Sequence, residues 1–330
     1  MSFLSPRANL ALLIAAIVCV ALAPLAVYPM FLMKLMCFAL LAASVNLLVG
    51  YAGLLSFGHA MFYGSAGYVA AHAIKAWGWD GMAAILAGVA AASALGLATG
   101  LLAIRRQGIY FSMITLAFAQ LVYFIALRMP FTGGEDGIQD VPRPMVLGLF
   151  SLADTRVLYV FVAAMVGLGF WLIHRTVHSP FGQVLRAIRD NEPRAQSLGY
   201  RVLRYKLLAF VLSAALAGLA GSLKVMVFQI ATLTDVHWVT SGEALLICIV
   251  GGMQTLLGPV LGAMVIVTME NYLASFAEWV LIIQGFVFVL VVMLFRKGIA
   301  GTFYAWMETR RARRRPQAGT TLDPAQQARP

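Results

Sequence analysis

The stretch Gly251-Gly252-Met253-Gln254-Thr255-Leu256-Leu257-Gly258-Pro259 decides how this chain is threaded. It interrupts the apolar region 242–275, which is too long for one membrane crossing, with residues that break helices. Read as one crossing, the region gives nine crossings in all. The basic run Arg310-Arg311-Ala312-Arg313-Arg314-Arg315 then lies on the face opposite Arg7. Read as two short helices, it gives ten, with both chain ends on one face. Lys and Arg near span ends collect on the cytoplasmic side, and this rule selects the split reading, which gathers eighteen of the 24 basic residues on one side. These are Arg7, Arg105, Arg106, the seven between positions 175 and 206 and the eight between 296 and 329. Only Lys34, Lys75, Arg128, Arg143, Arg156 and Lys224 fall on the other.

Working outward, a helix crossing ~30 Å of hydrocarbon needs ~20 mostly apolar residues. The remaining crossings fall at 9–28, 31–49, 58–75, 81–104, 108–127, 157–174, 207–230 and 279–295. The first resembles a secretory signal, and Ala21-Leu22-Ala23 has the form of a cleavage site. Pro24 directly after it disfavours cleavage, and apolar character soon resumes, so an uncleaved helix is expected. The composition agrees: the chain is 62% hydrophobic and 11% charged, against ~25% charged for soluble domains, which excludes a water-soluble globular protein. No segment has the alternation of a membrane barrel. The expected fold is an all-α polytopic membrane protein of about ten transmembrane helices, some short or broken, with cytoplasmic termini. Residues 1–306 form the transmembrane domain. Residues 307–330 form a basic, disordered tail positioned to touch anionic membrane lipid. The net charge of +11 is thereby an orientation signal and not a nucleic-acid footprint. Cys19, Cys37 and Cys248 sit in apolar runs with no paired spacing and read as small buried hydrophobes.

Several features carry chemistry. Small residues recur four apart at Ala92, Gly96 and Gly100, at Ala214 and Gly218, at Ala217 and Gly221, and at Gly258 and Gly262. Such faces let helices approach closely in lipid, either within the chain or between subunits. In Gly50-Tyr51-Ala52-Gly53-Leu54-Leu55-Ser56-Phe57-Gly58-His59, three glycines and a Ser-x-x-His pair break an apolar run. Transporters use broken helices of this kind to line solute pathways, which makes Gly53, Ser56 and His59 candidate pathway residues, with Ser56 a candidate N-cap. The opposing reading is a cytosolic turn between two spans. Glu270 lies about ten residues into its expected crossing, about 15 Å deep, and reads either as a proton or solute contact or as a hydrogen-bonded structural acid. The loop 175–206 holds a segment that Asn191 can cap, with Glu192 in the first turn, Pro193 tolerated there and Gly199 as the stop. Its short helices are expected to expose Leu185, Ile188, Ala195 and Leu198 among basic residues, either to solvent and membrane surface or to the groove of a soluble partner.

The run Arg189-Asp190-Asn191-Glu192-Pro193-Arg194-Ala195-Gln196-Ser197-Leu198-Gly199, with the stretch 205–221, resembles the LivM-type permeases of branched-chain amino-acid ABC importers. So do the stretch 50–59, Gly108-Ile109-Tyr110-Phe111-Ser112-Met113-Ile114-Thr115-Leu116-Ala117, Thr132-Gly133-Gly134, and Gly251-Gly252 with Gly258-Pro259-Val260-Leu261-Gly262-Ala263. Together they cover nearly all of 46–301. The resemblance implies a pore-forming subunit in a bacterial inner membrane, paired with a homologous second permease, two cytosolic ATPase subunits and a periplasmic solute-binding protein. It implies that Arg189, Asp190, Asn191, Glu192, Arg194 and Gly199 belong to the loop that receives the ATPases, and that ATP and Mg belong to those partners, with no cofactor on this chain.

Independently of that resemblance, the chain has no Gly-x-x-x-x-Gly-Lys-Ser/Thr phosphate loop. Energy for transport must come from another chain or from an ion gradient, and the gradient-driven carrier with Glu270 as its proton site is the competing class. His59, His72, His174, His178 and His237 are scattered and form no HExxH motif, so neither a catalytic nor a metal site is expected.

Overall fold

The computed structural model describes residues 23–24, 27–146, 148, 150–273, 280–294 and 298–302. Most of the expected first crossing (9–22 and 25–26), Arg296, Lys297 and the basic tail lie outside them.

Each of the other nine expected crossings corresponds to a helix. These are α1 (Pro29–Asn46), α2 (His59–Lys75), α3 (Gly81–Ala103), α4 (Ile109–Arg128) and α5 (Thr155–His178), then α8 (Val202–Phe228), α9 (Trp238–Gly251), α10 (Gly258–Leu273) and α11 (Val280–Leu294). Two shorter helices, α6 (Pro180–Asp190) and α7 (Glu192–Ser197), fill the loop between α5 and α8. The only strands among the described residues are a two-residue antiparallel pair, β1 (Met145–Val146) with β2 (Phe150–Ser151). The chain is therefore an all-α polytopic membrane protein. Among the described residues five helices, α1 with its continuation, α3, α4, α5 and α8, are long and apolar enough to cross a membrane.

Burial ranks the helices. In their most apolar stretches, α8 and α1 are 78% and 67% buried, whereas α3, α4 and α5 are about a third buried or less. The first two form the centre. The other three present Leu97 and Leu101, Tyr110 and Phe124, and Val160 and Trp171 outward, as a face toward lipid requires.

The small-residue stripes explain how α8 reaches its neighbours. A methyl added at Gly96 would sit 2.6 Å from Ala214 Cβ, one at Gly218 would sit 2.5 Å from Ala92 Cβ, and one at Gly221 would strike the backbone carbonyl of Tyr63. These stripes thus build the contacts of α8 with α3 and α2 inside one chain. Lys224, late in α8, is paired with Asp235 at 2.6 Å.

The region 242–275 is two helices, as the charge count requires. In α9 and α10 the backbones touch: a methyl at Gly262 would overlap the carbonyl of Ile247, and one at Gly251 that of Gly258. Only glycine permits this approach, so the residues that break the crossing also close the hairpin.

Candidate functional site at the junction of the two broken helices

The first break begins inside α1. After Asn46 the helix widens into a π-turn over Leu47–Ala52 and stops at Gly53, whose φ of 70° favours glycine. The next five residues are not helical, and several of their backbone groups find partners outside helical geometry, as a bundle interior demands. Leu54 N donates to Leu48 O at 3.0 Å. Ser112 Oγ donates to Leu55 O at 2.7 Å, and Phe57 N donates to Thr115 Oγ1 at 3.2 Å. The stretches 50–59 and 108–117 are therefore bonded partners, with α4 acting as the splint for the broken segment.

Ser56 does not cap α2. The helix begins at His59 with Gly58 as its N-cap, and the Ser56 hydroxyl accepts from Gly58 N at 3.2 Å, closing the preceding turn. Both Ser56 and His59 are fully buried. Ser213 Oγ donates to Ser44 O at 2.6 Å, so in its 2.8 Å contact with Ser213 the His59 Nε2 is the donor. The structure gives both residues packing partners, and of the three candidates in this stretch only Gly53 is exposed.

The second break, between α9 and α10, folds onto the first. Asn46 Nδ2 donates to Thr255 O at 2.9 Å, Gln254 N donates to Asn46 Oδ1 at 3.0 Å, and Tyr51 Oη donates to Gln254 O at 2.8 Å. One side-chain amide thus satisfies a donor and an acceptor of the partner turn. A methyl at Gly50 would sit 2.9 Å from Gln254 N, so that glycine leaves the room this approach uses.

The α6–α7 segment is attached to this junction by charged residues. Arg189 Nη1 donates to Gly50 O at 2.5 Å, while its Nη2 pairs with Asp190 at 2.7 Å. A methyl at Gly53 would lie 2.7 Å from Arg189 Cγ. Arg186 lies over the ring of Tyr51 at 5.4 Å. Glu192, at the start of α7, pairs with Lys206 of α8 at 2.6 Å, and both side chains are largely buried. Asn191 caps α7 by accepting from Arg194 N at 3.0 Å, and Gly199, at φ 86°, ends it.

The apolar side of this segment is not exposed as expected. Leu185, Ile188 and Ala195 are buried, the last two against Val202. They dock the segment onto its own bundle. The residues turned outward are Leu198 at 70% exposure, with Tyr200 and Leu203 beside it, and Arg194. The helix pair is thus firmly seated on its bundle, with Leu198 as an outward leucine knob.

Glu270, twelve residues past Gly258 in α10, lies in the half of the bundle away from α6 and α7 and pairs with Lys34 at 3.4 Å. Glu243 of α9 lies close enough to this pair to interact with both of its charges. The signal that reveals it is position: five residues past Trp238, it lies about 8 Å into its helix. Among the described residues no three His, Cys, Asp or Glu side chains are arranged to hold a metal ion.

The profile of the family described as "Branched-chain amino acid transport system / permease component" matches residues 27–292. The high-affinity branched-chain amino acid transport system permease proteins LivM of Salmonella typhimurium and of Escherichia coli are each 30% identical over 288 residues, 80% of this chain and 68% of theirs. A probable branched-chain amino acid transport permease protein LivH of Methanocaldococcus jannaschii is 31% identical over 155 residues, 44% of this chain and 46% of its own. No solved structure matches.

Proposed function

Because the chain belongs to the family of branched-chain amino acid transport permease components, we propose that it is one pore-forming subunit of an ATP-driven importer of branched-chain or related amino acids in a bacterial inner membrane. Its partners in this reading are a homologous second permease, two cytosolic ATPase subunits that bring ATP and Mg, and a periplasmic solute-binding protein. The termini and the α6–α7 segment face the cytosol. The chain itself is not an enzyme.

The observation that carries the reading is the linkage of α6 and α7 to both helix breaks. Force applied by an ATPase at Leu198 enters a segment pinned by Glu192 to Lys206 and by Arg189 to Gly50. From there it reaches the turn at 252–257 through Asn46 and Tyr51. Closure of an ATPase pair would thus move two glycine-broken helices together, which is what alternating access needs. Gly53 is the close approach that keeps Arg189 in register, Ser56 closes the turn before α2, and His59 holds the broken helix to α8.

The test is co-purification. Reversing charge at Glu192, or placing tryptophan at Gly199, should release the ATPases while membrane insertion stays intact. Normal ATPase recovery with both variants would remove the coupling role from this segment.

A further inference from the structure

Where α5 gives way to α6, the surface carries two adjoining cavities. One, of about 360 Å³, is walled by Trp171, His174, Arg175 and His178, and the other, of about 400 Å³, by Arg175, Phe181, Leu208 and Leu212. Arg175 stands between them, and no carboxylate lines either one. The ion pairs among the described residues use Lys34, Arg189, Lys206 and Lys224, which leaves the Arg175 guanidinium with no anion from among them. The imidazole wall is fixed, since His178 Nδ1 donates to His174 O at 2.8 Å and the ring centroids lie 4.2 Å apart. The two lobes differ in depth as well as in polarity. Arg175 lies about 5 Å from the end of α5, whereas Leu208 and Leu212 lie about 9 and 15 Å into α8. The apolar lobe therefore runs from the guanidinium toward the hydrocarbon. Trp171, one turn deeper than Arg175 and exposed, stands where membrane-interface tryptophans sit.

We propose that this paired cavity binds one anionic phospholipid of the leaflet on the α6–α7 side. The lipid phosphate accepts from the Arg175 guanidinium beside the imidazole wall, and an acyl chain lies along Phe181, Leu208 and Leu212. A guanidinium meets phosphate oxygens as a fork, and a lining without carboxylates has nothing to repel them. A zwitterionic lipid brings its own cation and leaves Arg175 unbalanced. The apolar lobe decides for a lipid over a soluble anion or a soluble protein, because neither enters the hydrocarbon layer that Leu212 faces. The helix α5 is one of those turned outward to lipid, so the bilayer itself delivers the ligand. The site needs only a membrane boundary at the end of α5, and it depends neither on the solute carried nor on ATP.

The experiment is photolabelling of the full-length permease–ATPase complex in phosphatidylcholine nanodiscs. Trace phosphatidylglycerol with a diazirine midway along one acyl chain is compared with phosphatidylcholine carrying the same chain, and labelled residues are located by peptide mapping. The phosphatidylglycerol probe should label the stretch 203–212 about fivefold more than the choline probe, the effect of one unbalanced anionic charge beside a basic residue. Both probes should label Leu97 and Leu101 of α3 equally. Excess unlabelled phosphatidylglycerol should remove the preference, and inorganic phosphate should not. Arg175→Gln should bring the two probes level at 203–212. Arg204→Gln, which removes an exposed cation that lines neither cavity, should leave the preference in place. Equal labelling by the two probes in the unsubstituted chain would overturn the site, and that comparison needs no variant to fold. Absence of label at 203–212 while α3 is labelled, the mark of a protein covering this face, would overturn it too. So would competition by inorganic phosphate, or a preference that survives Arg175→Gln or falls equally with Arg204→Gln.

Discussion

Replacing Glu192 with glutamine tests the linkage where it is most buried. Lys206 has only 5% of its side chain exposed and Glu192 17%, with 2.6 Å between the charged atoms. Removing one partner of a buried pair costs about 3–5 kcal/mol, because the other charge stays in place uncompensated. The two single substitutions are not equivalent. In Glu192→Gln the ammonium is trapped deep in the start of α8. In Lys206→Met the carboxylate sits nearer solvent and rehydrates more easily, so the loss is smaller. The double variant leaves no buried charge and should recover most of the loss. At 1.4 kcal/mol per decade, a 3 kcal/mol loss of α7 docking weakens ATPase binding by as much as about a hundredfold. The assay is ATPase affinity for nanodisc-embedded permease by interferometry, on all four members of the cycle. The expected order of affinity is wild type, double variant, Lys206→Met and then Glu192→Gln. Additive losses, or wild-type affinity for Glu192→Gln, would refute the reasoning.

Asn46→Leu removes both bonds to the 252–257 turn and strands Gln254 N and Thr255 O; about 1–3 kcal/mol per unsatisfied group should appear as a lower thermal midpoint in detergent. Gly262→Ala drives a methyl into the Ile247 carbonyl, and overpacking of about 1–3 kcal/mol should lower the same midpoint, whereas Gly285→Ala, with open space around it, should not. Arg189→Lys keeps the charge but loses the fork that reaches Gly50 O and Asp190 together; solute moved per ATP hydrolysed should fall while hydrolysis persists, and an unchanged ratio would detach Arg189 from coupling.

The crossings were legible in the sequence because length and apolarity dictate them. The split of 242–275 was legible because Arg and Lys choose sides. The caps of α7 were equally open to reading, since Asn191, Glu192 and Gly199 act within one turn of their own backbone. What the sequence hid is long-range. Nothing local at Asn46 announces a turn 208 residues away, and the two glycine breaks show their kinship only when folded together. Leu185 and Ile188 had the right spacing for an exposed face, but Leu185 is buried in the main core and Ile188 against Val202 of α8. Glu243 gave no local signal, because a helix of 14 residues has no length signal to show that its sixth residue is already inside.

ATP-dependent uptake in proteoliposomes tests the central claim most directly. With permease pair, ATPases and binding protein reconstituted, uptake of a branched-chain amino acid should require ATP and both ATPase subunits and should persist when an uncoupler collapses the proton gradient. Uptake that continues without the ATPases and vanishes with the uncoupler would contradict the account.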